Sequence, residues 1–433
     1  MQPEYTPTSA ESATKPLKTA NFVDTKKHGF LPEEQRERES GSPRYYITKF
    51  APPPPEADFQ PSDKLFSQYY LQSVARGILP DFRVSSCLRA RIDGAQYVLL
   101  VHDPDRLRAF YGNLITCGSV WVCPVCASRI SEVRREELTL AVAAARELGW
   151  YPVLITFTLQ HSREDSAAEV LASLLDTLRR IKRGSPYQRF RDRIGYQGSV
   201  TALEYTWGPE NGSHPHKHEL WFVDHKPSGA ELAELESWLR TRYIKFLQKA
   251  GRWASWENGL RVDFDHNDPF GPIAEYVAKF GREPSPASGS WTIAHELAKA
   301  VVKRGRGEHY SPFQLLALAA EGDRDAREAF AEYAEAFFGR QHLVYSPGLK
   351  DKLGLADLQS DEEIAADVDA FRVVLAALGP EAWQRVLKSE KRAELQRAGE
   401  RGDIESVMAV LGSLGVRLFT MPDGNGETVR ATK

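Results

Sequence analysis

The sequence is short of several things, and each absence narrows the reading. No apolar run is long enough to span a bilayer, so an integral membrane protein is not expected. The first residues, MQPEYTPTSAES, lack the basic-then-apolar pattern of a secretory signal. Net charge is only −3 over 433 residues, so no overall basic field announces a nucleic-acid partner, although basic residues can still gather locally. There are just four cysteines, and their spacing fits metal better than disulfides. Together these read as a soluble, cytoplasmic chain, long enough for a sizeable core and for more than one domain.

What is present centres on Ser213–Phe222, SHPHKHELWF, where three of the eleven histidines fall within five residues. In a β-strand, side chains two apart share a face. His216 and His218 would then present two imidazoles side by side, as a strand must to hold a metal ion. Upstream, Ser199–Trp207 (SVTALEYTW) pairs naturally with His216–Val223 through the turn GPENGSHP. That hairpin brings the carboxylate of Glu204 near the imidazoles, with His214 as its competitor for the third ligand position. Two imidazoles and a carboxylate with open positions suit Mg²⁺ or Mn²⁺ better than a closed structural site.

The cysteines Cys87, Cys117, Cys123 and Cys126 follow a C-x29-C-x5-C-x2-C spacing, which fits a four-thiolate Zn²⁺ site closing a small loop-rich module. Residues 1–62 are polar, carry the proline run Pro52–Pro55, and read as a disordered leader. Patterning then predicts helices over Lys64–Gly77, Ile130–Leu148, Ser166–Arg183 and Ala230–Leu247, and strands over Ala95–Val101, Tyr151–Gln160 and Leu260–Phe264. The stretch Arg179–Arg193 holds seven basic residues against one acid, with Tyr187 and Phe190 interleaved. Arg179, Arg180, Lys182, Arg183 and Arg189 could therefore meet phosphates, while the two aromatics serve either bases or the core. Asp268 and Pro269 open a helix over Ile273–Phe280, on which Tyr276 and Lys279 share a face. Beyond it, Lys303–Arg306 is a short basic patch, and Phe313–Ala320, Asp325–Gly339, Ser360–Leu378 and Glu381–Leu414 read as helices.

In order, TCGSVWVCPVCASRI, ITFTLQH, HPHKH and EYVAKF resemble the motifs of the plasmid rolling-circle replication initiator (Rep) proteins of the HUH endonuclease superfamily. The likeness runs over roughly residues 85–360 and continues weakly into KRGRGEHYSPFQLL and YSPGLKDKLGL. Two features depart from the family. Lys217 stands where a hydrophobic residue is usual; with Pro215 the chain offers the alternative frame His214–His216, but His216 and His218 lead directly into the apolar strand. Phe280 occupies the position where some relatives carry a later tyrosine, so a two-tyrosine mechanism looks unavailable. The resemblance implies an α+β fold, a central antiparallel sheet with flanking helices, over 136–288. A Cys-rich zinc module over 63–135 would precede it and a helical C-terminal region over 289–433 would follow.

The activity implied is site-specific nicking and joining of single-stranded DNA at the plasmid origin. Tyr276 would attack the phosphorus and become linked to the 5′-phosphate, with Lys279 favouring the phenolate or binding phosphate. The freed 3′-hydroxyl would prime a host DNA polymerase, and a host helicase is a further partner. The covalent intermediate conserves the bond energy, in keeping with the absence of a GxxxxGK[ST] phosphate loop. A second transfer at termination would fall to another tyrosine or to water activated by Glu275 or Glu283. Two other readings compete: a rolling-circle transposase or relaxase sharing the same motifs, and a non-catalytic zinc-dependent DNA-binding regulator whose histidines are structural.

Overall fold

A computed structural model describes residues 64–104, 107–270, 309–355, 359–366, 373–423 and 426–432. Helix α1 (Lys64–Ile78) buries Tyr69, Leu71 and Ala75. Strands β1 (Val98–Asp103) and β2 (Arg108–Gly112) follow. Helix α2 (Pro124–Glu147) begins six residues before its predicted start at Ile130, at the C-x-x-C turn itself. Cys123 caps it by accepting from the Cys126 amide, and Pro124 occupies the first turn, where a missing N–H costs nothing.

Next come β3 (Tyr151–Phe157), α3 (Ala167–Ile181), α4 (Ser185–Arg193), β4 (Tyr196–Gly208), β5 (Gly212–Val223), α5 (Gly229–Lys249) and β6 (Leu260–Asp263). After the break in described residues lie α6 (Pro312–Ala320), α7 (Arg324–Phe337), β7 (Leu343–Tyr345) and α8 (Leu349–Lys352). Strands β3 to β7 form one antiparallel sheet in the order β6-β3-β5-β4-β7. Alternation along β5 decides what each face meets. Trp221 and Val223 join Val170, Leu174, Leu178, Tyr187, Phe190, Leu239 and Tyr243, so α3, α4 and α5 seal that side. Leu220 and Phe222 face Leu138, Ala141 and Ala145 of α2 on the other. Helix α2 covers only the Phe222 end of this second face. The histidines lie further along it.

The C-terminal part corrects the expectation of a helical region over 289–433. Where Ser360–Leu378 was expected to be one helix, the structure has α9 (Asp361–Ala366) and strand β8 (Val373–Leu378). The segment VVLAAL is a continuous apolar run, and Leu375 to Leu378 are buried in succession, so periodicity could not separate helix from strand. Likewise Glu381–Leu414 is three helices, α10 (Pro380–Lys388), α11 (Arg392–Glu400) and α12 (Ile404–Ser413). The second break falls at Gly402, whose φ of +66° is left-handed and whose missing Cβ leaves room for the His102 ring. Strands β9 (Arg417–Asp423) and β10 (Gly426–Thr432) complete a second sheet, β2-β1-β8-β10-β9.

That sheet joins residues from 63–135 with residues from 289–433, regions the sequence reading kept apart. Arg392 pins them together from the inside. It is fully buried, donates to Gln72 Oε1 at 2.8 Å, and lies 4.5 Å from the Tyr69 ring centre. Tyr111 Oη donates to the Arg392 carbonyl at 2.7 Å, and Arg89 pairs with Glu390. The fold is α+β with mainly antiparallel sheets; β8 and β10 pair in parallel. Among the described residues no helix is long and apolar enough to cross a membrane.

Candidate metal centres

The β4–β5 ladder places Glu204 directly opposite His216 and Ala202 opposite His218. Partners across a ladder share a face, so Glu204, His216 and His218 rise on one side of the sheet. Strand β5 starts earlier than expected, at Gly212, so all three histidines are within it rather than at a turn. Pro215 is tolerated because β3 has already ended at Phe157, opposite Lys217, leaving β5 a neighbour on one side only. Gly212, with φ +73°, packs against the Arg163 backbone where a Cβ would not fit.

Glu204 Oε2 is 3.2 Å from His216 Nε2 and 3.4 Å from His218 Nε2. Neighbouring donors around an octahedral ion bound at ~2.1 Å would be about 3.0 Å apart, so the three atoms could hold one ion with its other positions open. The rings are turned for this. His218 Nδ1 is 2.9 Å from Thr156 Oγ1, and His216 Nδ1 is 3.3 Å from the His214 carbonyl, leaving both Nε2 atoms for a metal. Burial pushes the Glu204 carboxyl up, but hydrogen bonds from His216 and His218 overcome it and hold the group well below the usual range. The third ligand would thus be anionic throughout neutral pH.

His214 shares the face but not the cluster. Its Nδ1 lies 2.7 Å from His161 Nε2, and His161 Nδ1 lies 2.7 Å from the Asn211 carbonyl. Burial, then His216, His161 and His309, push His214 down to about 3, so it is neutral at neutral pH. Neither Thr156 nor His161 was assigned a role from sequence, although both lie in the ITFTLQH segment. Only the register of β3 against β5, Thr156 opposite His218, shows the first of them.

The four cysteines also converge. Cys87 Sγ is 3.8 Å from Cys123 Sγ and 3.6 Å from Cys126 Sγ, and Cys117 Sγ is 3.7 Å from Cys126 Sγ. Tetrahedral thiolates at ~2.3 Å from a central zinc would lie about 3.8 Å apart, whereas a disulfide needs about 2.05 Å. All four are buried and none is bridged. Crowding by the Cys123, Cys126 and Cys87 thiols, together with burial, pushes Cys117 well above the usual thiol range. A cation is what would allow the set to ionise together, and the buried four-thiol geometry fits Zn²⁺.

Lys217 points to the opposite face, where Glu219 is fully buried. Lys182 Nζ reaches Glu219 Oε1 at 2.6 Å and Trp221 Nε1 donates to Oε2 at 3.0 Å. Lys182, one of the five basic residues singled out for DNA, therefore serves the core. Arg179 and Arg180 are exposed but pair with Asp176, and Arg183 and Arg189 are exposed. All five sit on the helical side of the sheet, across it from the histidines. Tyr187 and Phe190 are buried, Phe190 stacking on Trp238 at 4.2 Å.

Burial raises the Glu219 carboxyl, yet Lys182 and Lys217 hold it below its ordinary value. Its stabilisation is therefore complete above the unfolded value, about 4.3, and is lost as pH falls through the lower folded one. Glu219→Gln should cost about 3 kcal/mol near neutral pH by stranding two ammonium groups. Calorimetric melting of the two proteins should show that gap closing in acid.

Tyr276, Lys279, Glu275, Phe280, Glu283 and the Lys303–Arg306 patch lie outside the described residues, as does the 1–62 leader.

Comparison with known proteins adds a relative. Over 388 aligned residues the chain is 28% identical to "Protein rep" of Streptomyces lividans, which spans 74% of this chain and 83% of the relative. A shorter match, 31% identical over 141 residues, is to the "Neomycin resistance protein" of Streptomyces cyanogenus, covering 27% of this chain and 32% of that one. No family model and no solved structure matches the chain. The motif resemblance and the Streptomyces relative point the same way: over most of its length the chain is similar to a Rep protein.

Proposed function

We propose that the protein initiates plasmid rolling-circle replication by nicking one strand at the double-strand origin and rejoining DNA at termination, as an HUH-type strand transferase. The observation that carries the reading is the Glu204, His216 and His218 cluster, three donors on one sheet face with open positions. The Rep homologue favours a replication initiator over a transposase or relaxase.

A divalent ion such as Mg²⁺ or Mn²⁺, held by Glu204, His216 and His218, would supply Lewis-acid polarisation of the scissile phosphate. With the ion bound, the His214 carbonyl would accept from His216 Nδ1 and Thr156 Oγ1 from His218 Nδ1, leaving each Nε2 to the metal. Tyr276 is the nucleophile in this reading. Its oxygen bonds to phosphorus as the phenol loses its proton, the bond from phosphorus to the 3′-oxygen breaks, and the departing 3′-oxygen takes up a proton to leave as the 3′-hydroxyl. An ordinary tyrosine has a pKa near 10, so Lys279, three residues on in sequence, would favour the phenolate by its charge. Glu275 or Glu283 would activate water for the second transfer.

The test is a denaturing gel of full-length protein with labelled single-stranded origin DNA and Mn²⁺. Wild type should give a covalent protein–DNA band that Tyr276→Phe abolishes. A band surviving in the mutant would move the nucleophile to another residue. No band in either, with duplex binding intact on a verified origin, would favour the non-catalytic regulator.

A further inference from the structure

One row of ladder partners crosses the sheet from the metal ligands to its edge. His218 on β5 faces Thr156 on β3, and Thr156 faces Arg261 on the edge strand β6. Arg261 thus rises on the same face as His218, two strands and about 10 Å away. Its side chain is 72% exposed, and the neighbouring Asp263 carboxylate lies 2.9 Å from its Nε.

The loop 252–259 leads into that edge strand, and it is held tightly. The Gln160 amide donates to the Trp253 carbonyl at 2.8 Å, and the Thr158 amide to the Gly259 carbonyl at 3.0 Å. Thr158 Oγ1 donates to the Asn258 carbonyl, and Arg252 pairs with Asp165. A Cβ on Gly259 would collide with Ala254 at 2.5 Å. Yet this fixed loop leaves Trp253 62% and Trp256 52% exposed, the only exposed tryptophans among the described residues.

An indole left half in water by a rigid backbone contributes little to the core and calls for another partner. Through its backbone the loop adjoins the segment that reaches the metal face: Gln160, bonded to Trp253, precedes His161, which contacts His214 beside the ligands. The Arg240 guanidinium of α5, which also pairs with Glu236 and donates to the Leu260 carbonyl at 2.9 Å, sits 5.5 Å from the Trp256 ring centre, so Trp256 stands at the sheet edge toward α5. Indoles with guanidinium groups alongside suit unpaired nucleotides, whose bases stack while their phosphates seek charge. Duplex bases, already stacked on one another, offer no such faces.

We propose that Trp253 and Trp256 form a stacking platform for unpaired bases flanking the cleaved phosphate, with Arg261 binding a phosphate between platform and metal site. This rests on the nicking function proposed above and names where its single strand runs.

The experiment measures binding of full-length protein to a short fluorescein-labelled mixed-sequence single strand, and to its duplex, by anisotropy across a salt series. Trp253→Ala and Trp256→Ala should each weaken single-strand binding about 10-fold, leave duplex binding unchanged, and keep the logarithmic salt slope. The Phe versions should recover most of the loss. Arg261→Ala should instead flatten that slope by about 0.7, the value for one phosphate contact on a single strand. If wild type nicks and binds but both alanine variants bind like it, the platform is refuted while the nicking function stands. If single-strand binding survives and only the melting temperature falls, the tryptophans pack within the chain and the platform is again refuted. If wild type binds no single strand at all, the nicking function falls with it.

Discussion

His218→Ala should bind Mn²⁺ far more weakly than wild type and lose about 10³-fold in origin nicking, while melting at nearly the same temperature. The ion's polarising effect at phosphorus is worth several kcal/mol, and each 1.36 kcal/mol is tenfold in rate. The fold should survive because the histidine end of the face is the part α2 does not cover, and Leu220 and Phe222, which it does cover, are untouched. Thr156→Val supplies a graded companion. It keeps all three ligands but removes the acceptor 2.9 Å from His218 Nδ1, so metal affinity should fall about 10- to 100-fold. Titration calorimetry with Mn²⁺ alone reads both variants without relying on activity. Wild-type metal affinity in His218→Ala would show that Glu204, His216 and His218 do not form the binding site.

Zinc removal should have the largest effect on stability. Structural zinc contributes about 10–16 kcal/mol in small modules, comparable with the whole net stability of a domain, about 5–15 kcal/mol. The cysteine cluster lies in the same core as α1, β1, α7, β8, α10 and α11, so its loss cannot stay local. Cys126→Ser should strip the metal while keeping the cap at the start of α2, which uses the Cys126 backbone amide and the Cys123 sulfur. We expect one zinc per wild-type chain by elemental analysis, and a chelator-treated protein that loses cooperative melting. Unchanged melting with no zinc in the native protein would make the four thiols ordinary core residues.

Both clusters were legible in the sequence because each is short-range or strongly typed. A His-x-His alternation needs only a strand to share a face, and the C-x-x-C pair needs only a turn. The third ligand was open between Glu204 and His214 because strand register is a long-range property; only the ladder puts Glu204 opposite His216 and turns His214 toward His161. The partner of Lys182 was hidden for a related reason. Basic residues at a helix end read as a solvated cationic face, and nothing local shows that Glu219, on a distant strand, is buried beneath one of them. Strand β8 was lost to a helix because VVLAAL is buried on both faces and so carries no alternation. Tryptophans in a loop gave no periodic signal, and only their exposure on a pinned backbone marks Trp253 and Trp256.

The buried Arg392 has a consequence for how the chain is made. Its guanidinium meets Gln72 across 320 residues, and its carbonyl meets Tyr111 across 281. At about 5–20 residues per second of synthesis, the cysteine region leaves the ribosome roughly a quarter of a minute to a minute before the residues that close its sheet. During that interval β1 has β2 on one side and an open edge on the other, the edge that β8 later fills. A polypeptide that stops short of β8 would keep that edge, while the β4–β5 hairpin with its metal ligands would already be complete. Premature termination would therefore give fragments with an exposed strand edge, prone to aggregation and proteolysis.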